Sequence, residues 1–151
     1  MSQSHRLASG GHINRSKPIR FWYDNKGYDG FEGDTLASAL LANGVHLVGR
    51  SFKYHRPRGI YTAGSEEPNA LVQLETGPHT EPNRRATEVE IYEGLHAASQ
   101  NCWPSVNFDV GAVNSWASRI LPAGFYYKTF MWPASLWMTY EKYIRRAAGL
   151  G

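Results

Sequence analysis

The stretch Gly33-Asp34-Thr35, followed by Leu36, Ala39, Leu40 and Asn43 and closed by Gly44, constrains the fold more than any other feature. Asp34 and Thr35 bring side-chain oxygens to the point where the first amides of a helix lack partners. The apolar residues then recur at helical spacing, and Gly44 is a natural stop because it takes positive φ without steric cost. The pattern predicts a helix over residues 35 to 43. Short strand-like runs surround it: Ile19 to Tyr23 and Tyr28 to Glu32 joined by a turn at Asn25-Lys26-Gly27, then Val45 to Ser51, Ala70 to Leu74 and Thr87 to Tyr92. In the last run Val89 and Ile91 alternate with Glu88 and Glu90, as a half-buried strand requires. A single short helix among strands must bury its apolar side on a sheet, so the expected class is α+β, a small mixed sheet with a helix on one face.

Three regions follow: an N-terminal arm over residues 1–17, the roll over 18–100, and an aromatic-rich docking segment over 101–151. The arm is polar, without the apolar stretch of a signal peptide, and is expected to be loosely docked. In the third region 11 of the chain's 20 aromatic residues fall between Trp103 and Tyr143, including four of its five tryptophans. Stretches such as Phe125-Tyr126-Tyr127-Lys128-Thr129-Phe130-Met131-Trp132-Pro133 have no clean period, so an extended path that presents contact surface to other protein is expected. Residues 134 to 148 predict a helix, with Lys142, Arg145 and Arg146 near the end where cations suit the dipole. The chain then closes on Gly149-Leu150-Gly151, which reads as the start of a linker in a longer polypeptide.

With 42% hydrophobic and 19% charged residues, the 151-residue chain can bury a core and is not of the disordered class. No apolar run is long enough to span a bilayer, and a cytoplasmic location is expected. Cys102 is the one cysteine, which excludes an internal disulfide and any multi-cysteine metal site. The net charge is only +3, but Arg50, Lys53, His55, Arg56 and Arg58 cluster around Phe52 and Tyr54. Such a run can grip phosphates, or it can be an ordinary solvated edge; no nucleic-acid-binding module surrounds it.

Catalytic templates are absent. There is no G-x-S-x-G elbow, no phosphate-binding glycine loop and no metal-spaced histidine pair among His46, His55, His79 and His96. Glu66 and Glu67 are neighbours, so in an extended segment they face opposite ways and do not form an acid–base pair. Spacing is more informative. Plant-type [2Fe–2S] loops use C-x4-C-x2-C with a fourth cysteine further on, and Tyr61, Glu66 and Asn69 fall at those intervals. Asn83 to Thr87 followed by Val89 to Gly94 resembles the segment that supplies the fourth cysteine in ferredoxin-like domains, with Thr87 at its position. Tyr, Glu, Asn and Thr supply no thiolate, so the loop has the path of a cluster site and is expected to carry no cluster.

The order of hairpin, helix and loop resembles a ferredoxin β-grasp roll. The stretches Arg50 to Ile60, Ala63 to Val72, Phe125 to Pro133 and Ile144 to Gly151 resemble the N-terminal segment of the alpha subunits of heterotetrameric sarcosine oxidases. That resemblance, from about residue 6 onward, implies a longer subunit whose dinucleotide-binding domain would begin after this chain. It implies a complex that oxidises the N-methyl group of sarcosine, giving glycine and hydrogen peroxide. Its cofactors would be FAD, covalent FMN, NAD and zinc, with tetrahydrofolate as one-carbon acceptor; whether sarcosine or a related N-methyl amine is preferred stays open. No catalytic residue carries over to this chain. The expected role is non-catalytic assembly with the rest of alpha and with the beta, gamma and delta subunits, and Arg56, Arg58 and Lys128 are candidate flavin or subunit contacts. The alternative is a stand-alone anion- or nucleic-acid-binding module built on the Arg50–Arg58 run, and a ferredoxin with borrowed ligands is a further one.

Overall fold

The computed structural model describes residues 3–116, 118 and 133–147. Strand β1 (Asn14–Tyr23) turns through Asp24 and Asn25 into β2 (Lys26–Glu32), and Tyr23 pairs directly with Lys26. The turn lies one residue earlier than the glycine suggested, because Asp24 and Asn25 themselves take φ of 49° and 62°. Both are residues that tolerate this region, as a two-residue hairpin turn demands. Helix α1 (Leu36–Ala42) follows with Thr35 as its N-cap, accepting from the Ser38 amide.

Beyond the helix come β3 (Gly49–Arg50) and β4 (Pro57–Arg58), paired antiparallel as a separate two-stranded ribbon. Strands β5 (Leu71–Leu74), β6 (Glu81–Arg85) and β7 (His96–Ser99) complete a five-stranded sheet of order β2-β1-β7-β5-β6. Only the β1–β7 pair is parallel. The expected α+β class with a mixed sheet therefore holds. The strand expected over residues 87 to 92 does not form; its alternation reflects Val89 and Ile91 packing into the core beside an isolated bridge from Thr35 to Glu90. Likewise only Gly49–Arg50 of the run 45 to 51 is strand.

The core lies between α1 and the sheet. Leu36, Ala39 and Leu40 of the helix are fully buried, together with Phe21 of β1 and Val72 of β5. Among the described residues, the C-terminal part has a short helix α2 (Val113–Trp116) and a longer one, α3 (Trp137–Ala147), close to the expected bounds. No helix among the described residues is long and apolar enough to cross a membrane. Lys128 and the aromatic run from Phe125 to Trp132 lie outside the described residues.

The segment expected as a loose arm is pinned. Arg6 reaches Asp34 through both terminal nitrogens, at 3.1 and 2.6 Å, and its guanidinium lies 5.1 Å from the Phe31 ring centroid. Asp34, 1% exposed, also accepts from the Phe31 amide and the Ser38 hydroxyl. Breaking one partner of a buried ion pair strands the other charge and costs roughly 3–5 kcal/mol. Arg6→Ala is therefore expected to lower stability by about that amount in urea unfolding, and a loss within the scatter of ordinary surface substitutions, about 0.5 kcal/mol, would show that the arm is not held through Asp34.

Candidate functional site

The loop that joins β4 to β5 carries Tyr61, Glu66 and Asn69, the positions with cluster-ligand spacing. Their side chains do not converge. Tyr61 is 78% exposed. Glu66 is exposed, and its Oε2 lies 2.5 Å from the point a Cβ on Gly64 would occupy, so only glycine at 64 lets that carboxylate fold over the backbone. Asn69 accepts a hydrogen bond from Arg58 at 2.5 Å. Thr87, buried, donates its hydroxyl to the Gly64 carbonyl at 2.7 Å and so ties the turn after β6 to the loop.

What fills the loop is Glu67. It is 1% exposed, and both carboxylate oxygens point into the backbone around it. Oε2 accepts from the amides of Tyr61 and Thr62, at 2.7 and 2.5 Å, and from the Thr62 hydroxyl at 3.3 Å. Oε1 accepts from the amides of Asn69 and Ala70, at 2.7 and 3.1 Å. Arg85 Nε donates to the Glu67 carbonyl at 3.2 Å. Burial would push this carboxyl up, but the amides of Thr62, Asn69, Tyr61 and Ala70 together outweigh it and hold the group below the ordinary glutamate range. Glu66 and Glu67 do face opposite ways, as expected for neighbours; the residues themselves carry no signal for which of the two turns inward.

A second buried carboxylate lies behind the basic run. Asp109, with a fully buried side chain, accepts from the Trp103 and Gly111 amides at 3.0 and 3.1 Å. Its other oxygen lies within hydrogen-bonding distance of His55 Nδ1, at 2.7 Å, and 3.6 Å from Arg50 Nε. The His55 ring rests against Gly111, where any Cβ would come within 2.2 Å of it. Burial would raise the Asp109 carboxyl, yet the Trp103 amide and His55 prevail and hold it low. Arg50 donates further to the Val106 and His55 carbonyls. Of the basic run, then, Arg50 and Arg58 are engaged inside the fold, and exposed Arg56 lies 4.9 Å over the Tyr54 ring.

Residues 16–102 match the family described as 2Fe-2S iron-sulfur cluster binding domain. The chain belongs to that family. It is 64% identical over 149 residues to sarcosine oxidase subunit alpha of Rhizobium meliloti (strain 1021), a match covering 98% of this chain and 15% of that protein. It is 40% identical over 104 residues to sarcosine oxidase subunit alpha of Corynebacterium sp. (strain U-96), covering 64% of this chain and 11% of that one. The resemblance read from Arg50 to Ile60 and from Ala63 to Val72 thus holds, and the chain spans 15% or less of these relatives' lengths. A solved structure of L-proline dehydrogenase from P.horikoshii is similar at a TM-score of 0.48 and 22% identity, covering 61% of this chain and 17% of that one.

Within this cluster-binding family the residues present here do not fit an iron–sulfur cluster. One cysteine, Cys102, lies outside the loop; its thiol is pushed up by burial and sits 3.2 Å from the Ser99 hydroxyl. No group of three or more His, Cys, Asp or Glu among the described residues could hold a metal ion. No buried side-chain nitrogen or oxygen among them lacks a hydrogen-bond partner that a cluster would supply.

The Asp109 cluster yields a pH prediction. A carboxyl held low in the folded state stabilises fully above its unfolded value, about 3.9 for aspartate, and that contribution is lost as pH falls through the lower folded value. Asp109→Ala should cost roughly 3 kcal/mol at neutral pH and speed amide exchange at Trp103 and Gly111, while Asp109→Asn should flatten part of the acid limb of a Tm-against-pH curve. An unchanged acid limb in the Asn variant would show that Asp109 is not held low.

Proposed function

We propose that this chain is a non-catalytic domain of the alpha subunit of a multisubunit, flavin-dependent sarcosine oxidase, where it serves assembly. The observation that carries the reading is the 64% identity running through 98% of the chain to a protein named as that subunit. In such a complex, oxidative demethylation of sarcosine to glycine, with hydrogen peroxide as product and folate as one-carbon acceptor, takes place on other parts. FAD, FMN, NAD and zinc belong to those parts too. What this chain contributes is a scaffold and surfaces.

Physical support for an assembly surface comes from residues 103 to 116. Trp103, Phe108, Val110, Val113 and Trp116 are 71, 70, 50, 60 and 87% exposed. Trp103 to Gly111 are nevertheless clamped through Asp109 to Arg50 and His55, so Trp103, Phe108 and Val110 are displayed from a held backbone. Aromatics presented this way lose little freedom on contact and bury large areas. The fit is to the remainder of alpha or to a neighbouring beta, gamma or delta subunit. Arg56, exposed and free of a carboxylate partner, is better placed than Arg58 to meet a flavin phosphate across such a boundary.

Co-expression of the full subunit set tests this. The chain carried within its subunit should co-purify with the others in a complex that forms hydrogen peroxide from sarcosine. Trp103→Ser with Phe108→Ser should reduce recovery of that complex severalfold while changing unfolding free energy by no more than about 0.5 kcal/mol, as exposed positions do. Full recovery of the complex with both substitutions would move the contact elsewhere, and absence of co-purification would reject the assembly reading.

A further inference from the structure

We infer that Glu67 is an internal replacement for the cluster itself: its carboxylate occupies the anion position of the loop and holds the loop closed without iron. Three observations converge on this. The loop belongs to a family of cluster-binding domains, and the plant-type ligand spacing fits Tyr61, Glu66 and Asn69 and equally, one residue on, Thr62, Glu67 and Ala70, the set that meets inside the loop. A cluster ligated by four thiolates is an anion, and amides around it donate to its sulfurs, one of the levers by which such sites are tuned. Here the amides of Tyr61, Thr62, Asn69 and Ala70, which flank the first and third ligand positions, all donate to one buried carboxylate.

The charge accounting is consistent. Four inward amides with nothing negative among them would be buried donors without acceptors, a costly arrangement. Losing the thiolates alone would leave that cost in place; a carboxylate in the same space removes it. Thr87 completes the exchange, since its hydroxyl bonds to the Gly64 carbonyl and so joins loop to turn across the space that iron would bridge. Glu66 does not take part: it lies exposed over Gly64. The loop is therefore closed by a side chain of its own, bonded to the amides at both of its ends.

The test is residue-resolved hydrogen exchange on the full chain, read as protection factors at the Tyr61, Thr62, Asn69 and Ala70 amides. Glu67→Ala should lower protection at all four by about 10- to 100-fold, the equivalent of losing one or two charge-assisted bonds. Glu66→Gln should leave them protected. With Glu67, protection should hold above about pH 4.3, the ordinary glutamate value, and fall as pH drops through the lower folded value; in Glu67→Gln that dependence should vanish. Reconstitution of the wild-type chain with ferrous iron and sulfide should give no visible charge-transfer absorption. The inference is overturned if the four amides are unchanged in Glu67→Ala, if Glu66→Gln exposes them equally, or if the wild-type chain takes up a cluster.

Discussion

A carboxylate buried among backbone amides is the interaction on which the least regular part of this molecule depends. The loop between Pro57–Arg58 and Leu71–Leu74 makes few ladder bonds of its own, and its amides would otherwise face inward with no acceptor. Glu67 satisfies four of them at once. Because a single side chain collects donors from both ends of the loop, closure becomes cooperative: Tyr61 and Thr62 cannot move away without disturbing the geometry that Asn69 and Ala70 share. The strand that follows inherits its register from this point, since Ala70, completely buried, is both the last residue of the loop and the acceptor for the Ala86 amide.

The same device recurs. Asp34 fastens the N-terminal segment to the start of the helix, and Asp109 fastens residues 103 to 111 to the short ribbon of Gly49–Arg50 and Pro57–Arg58. In each case the apolar core ends where the carboxylate begins. The sheet and helix bury Phe21, Leu36, Leu40, Val72 and Leu95, and these hold one another without help. The peripheral segments are too polar or too irregular to join that core, and buried acceptors bind them instead. Such pairs specify geometry more than they add net stability, because desolvation offsets much of the attraction. Glu67 and Asp109, both held low, make the segments they bind sensitive to acid.

This division explains what could be read from the residues. The helix was legible because cap, period and stop agree within ten positions, the hairpin because a short apolar-aromatic run meets a turn, and Leu71–Leu74 because Ala70-Leu71-Val72 is an apolar run. Glu81–Arg85 and His96–Ser99 carry neither signal: EPNRR is polar and HAAS is small, and they become strands because neighbouring edges offer them partners. Residues 87 to 92 mislead for the opposite reason, since two turns that bury Val89 and Ile91 produce the same alternation as a strand. Family membership was legible through the order of hairpin, helix and loop and through the stretches Arg50 to Ile60 and Ala63 to Val72. The inward carboxylate was not, because the same spacing fits Thr62, Glu67 and Ala70 one residue on, and spacing alone does not choose between the two registers. Nor was the His55–Asp109 pair, whose members lie 54 residues apart and meet only in the fold.

The contrast between Glu66 and Glu67 also bears on why a cluster-binding framework can persist without its metal. With Tyr, Glu, Asn and Thr at 61, 66, 69 and 87 the loop has no thiolate to fix its path, while its amides still aim inward. An apolar filler in that space would leave those donors unpaired, and water would need room and several partners of its own. A carboxylate borne by the loop satisfies the donors with no external component, which frees the outer side of the loop from any duty to iron. Tyr61 then stands exposed and Asn69 pairs with Arg58 on the outer side of the loop. In the assembly role proposed above, a loop closed by its own carboxylate is a fixed part of the scaffold.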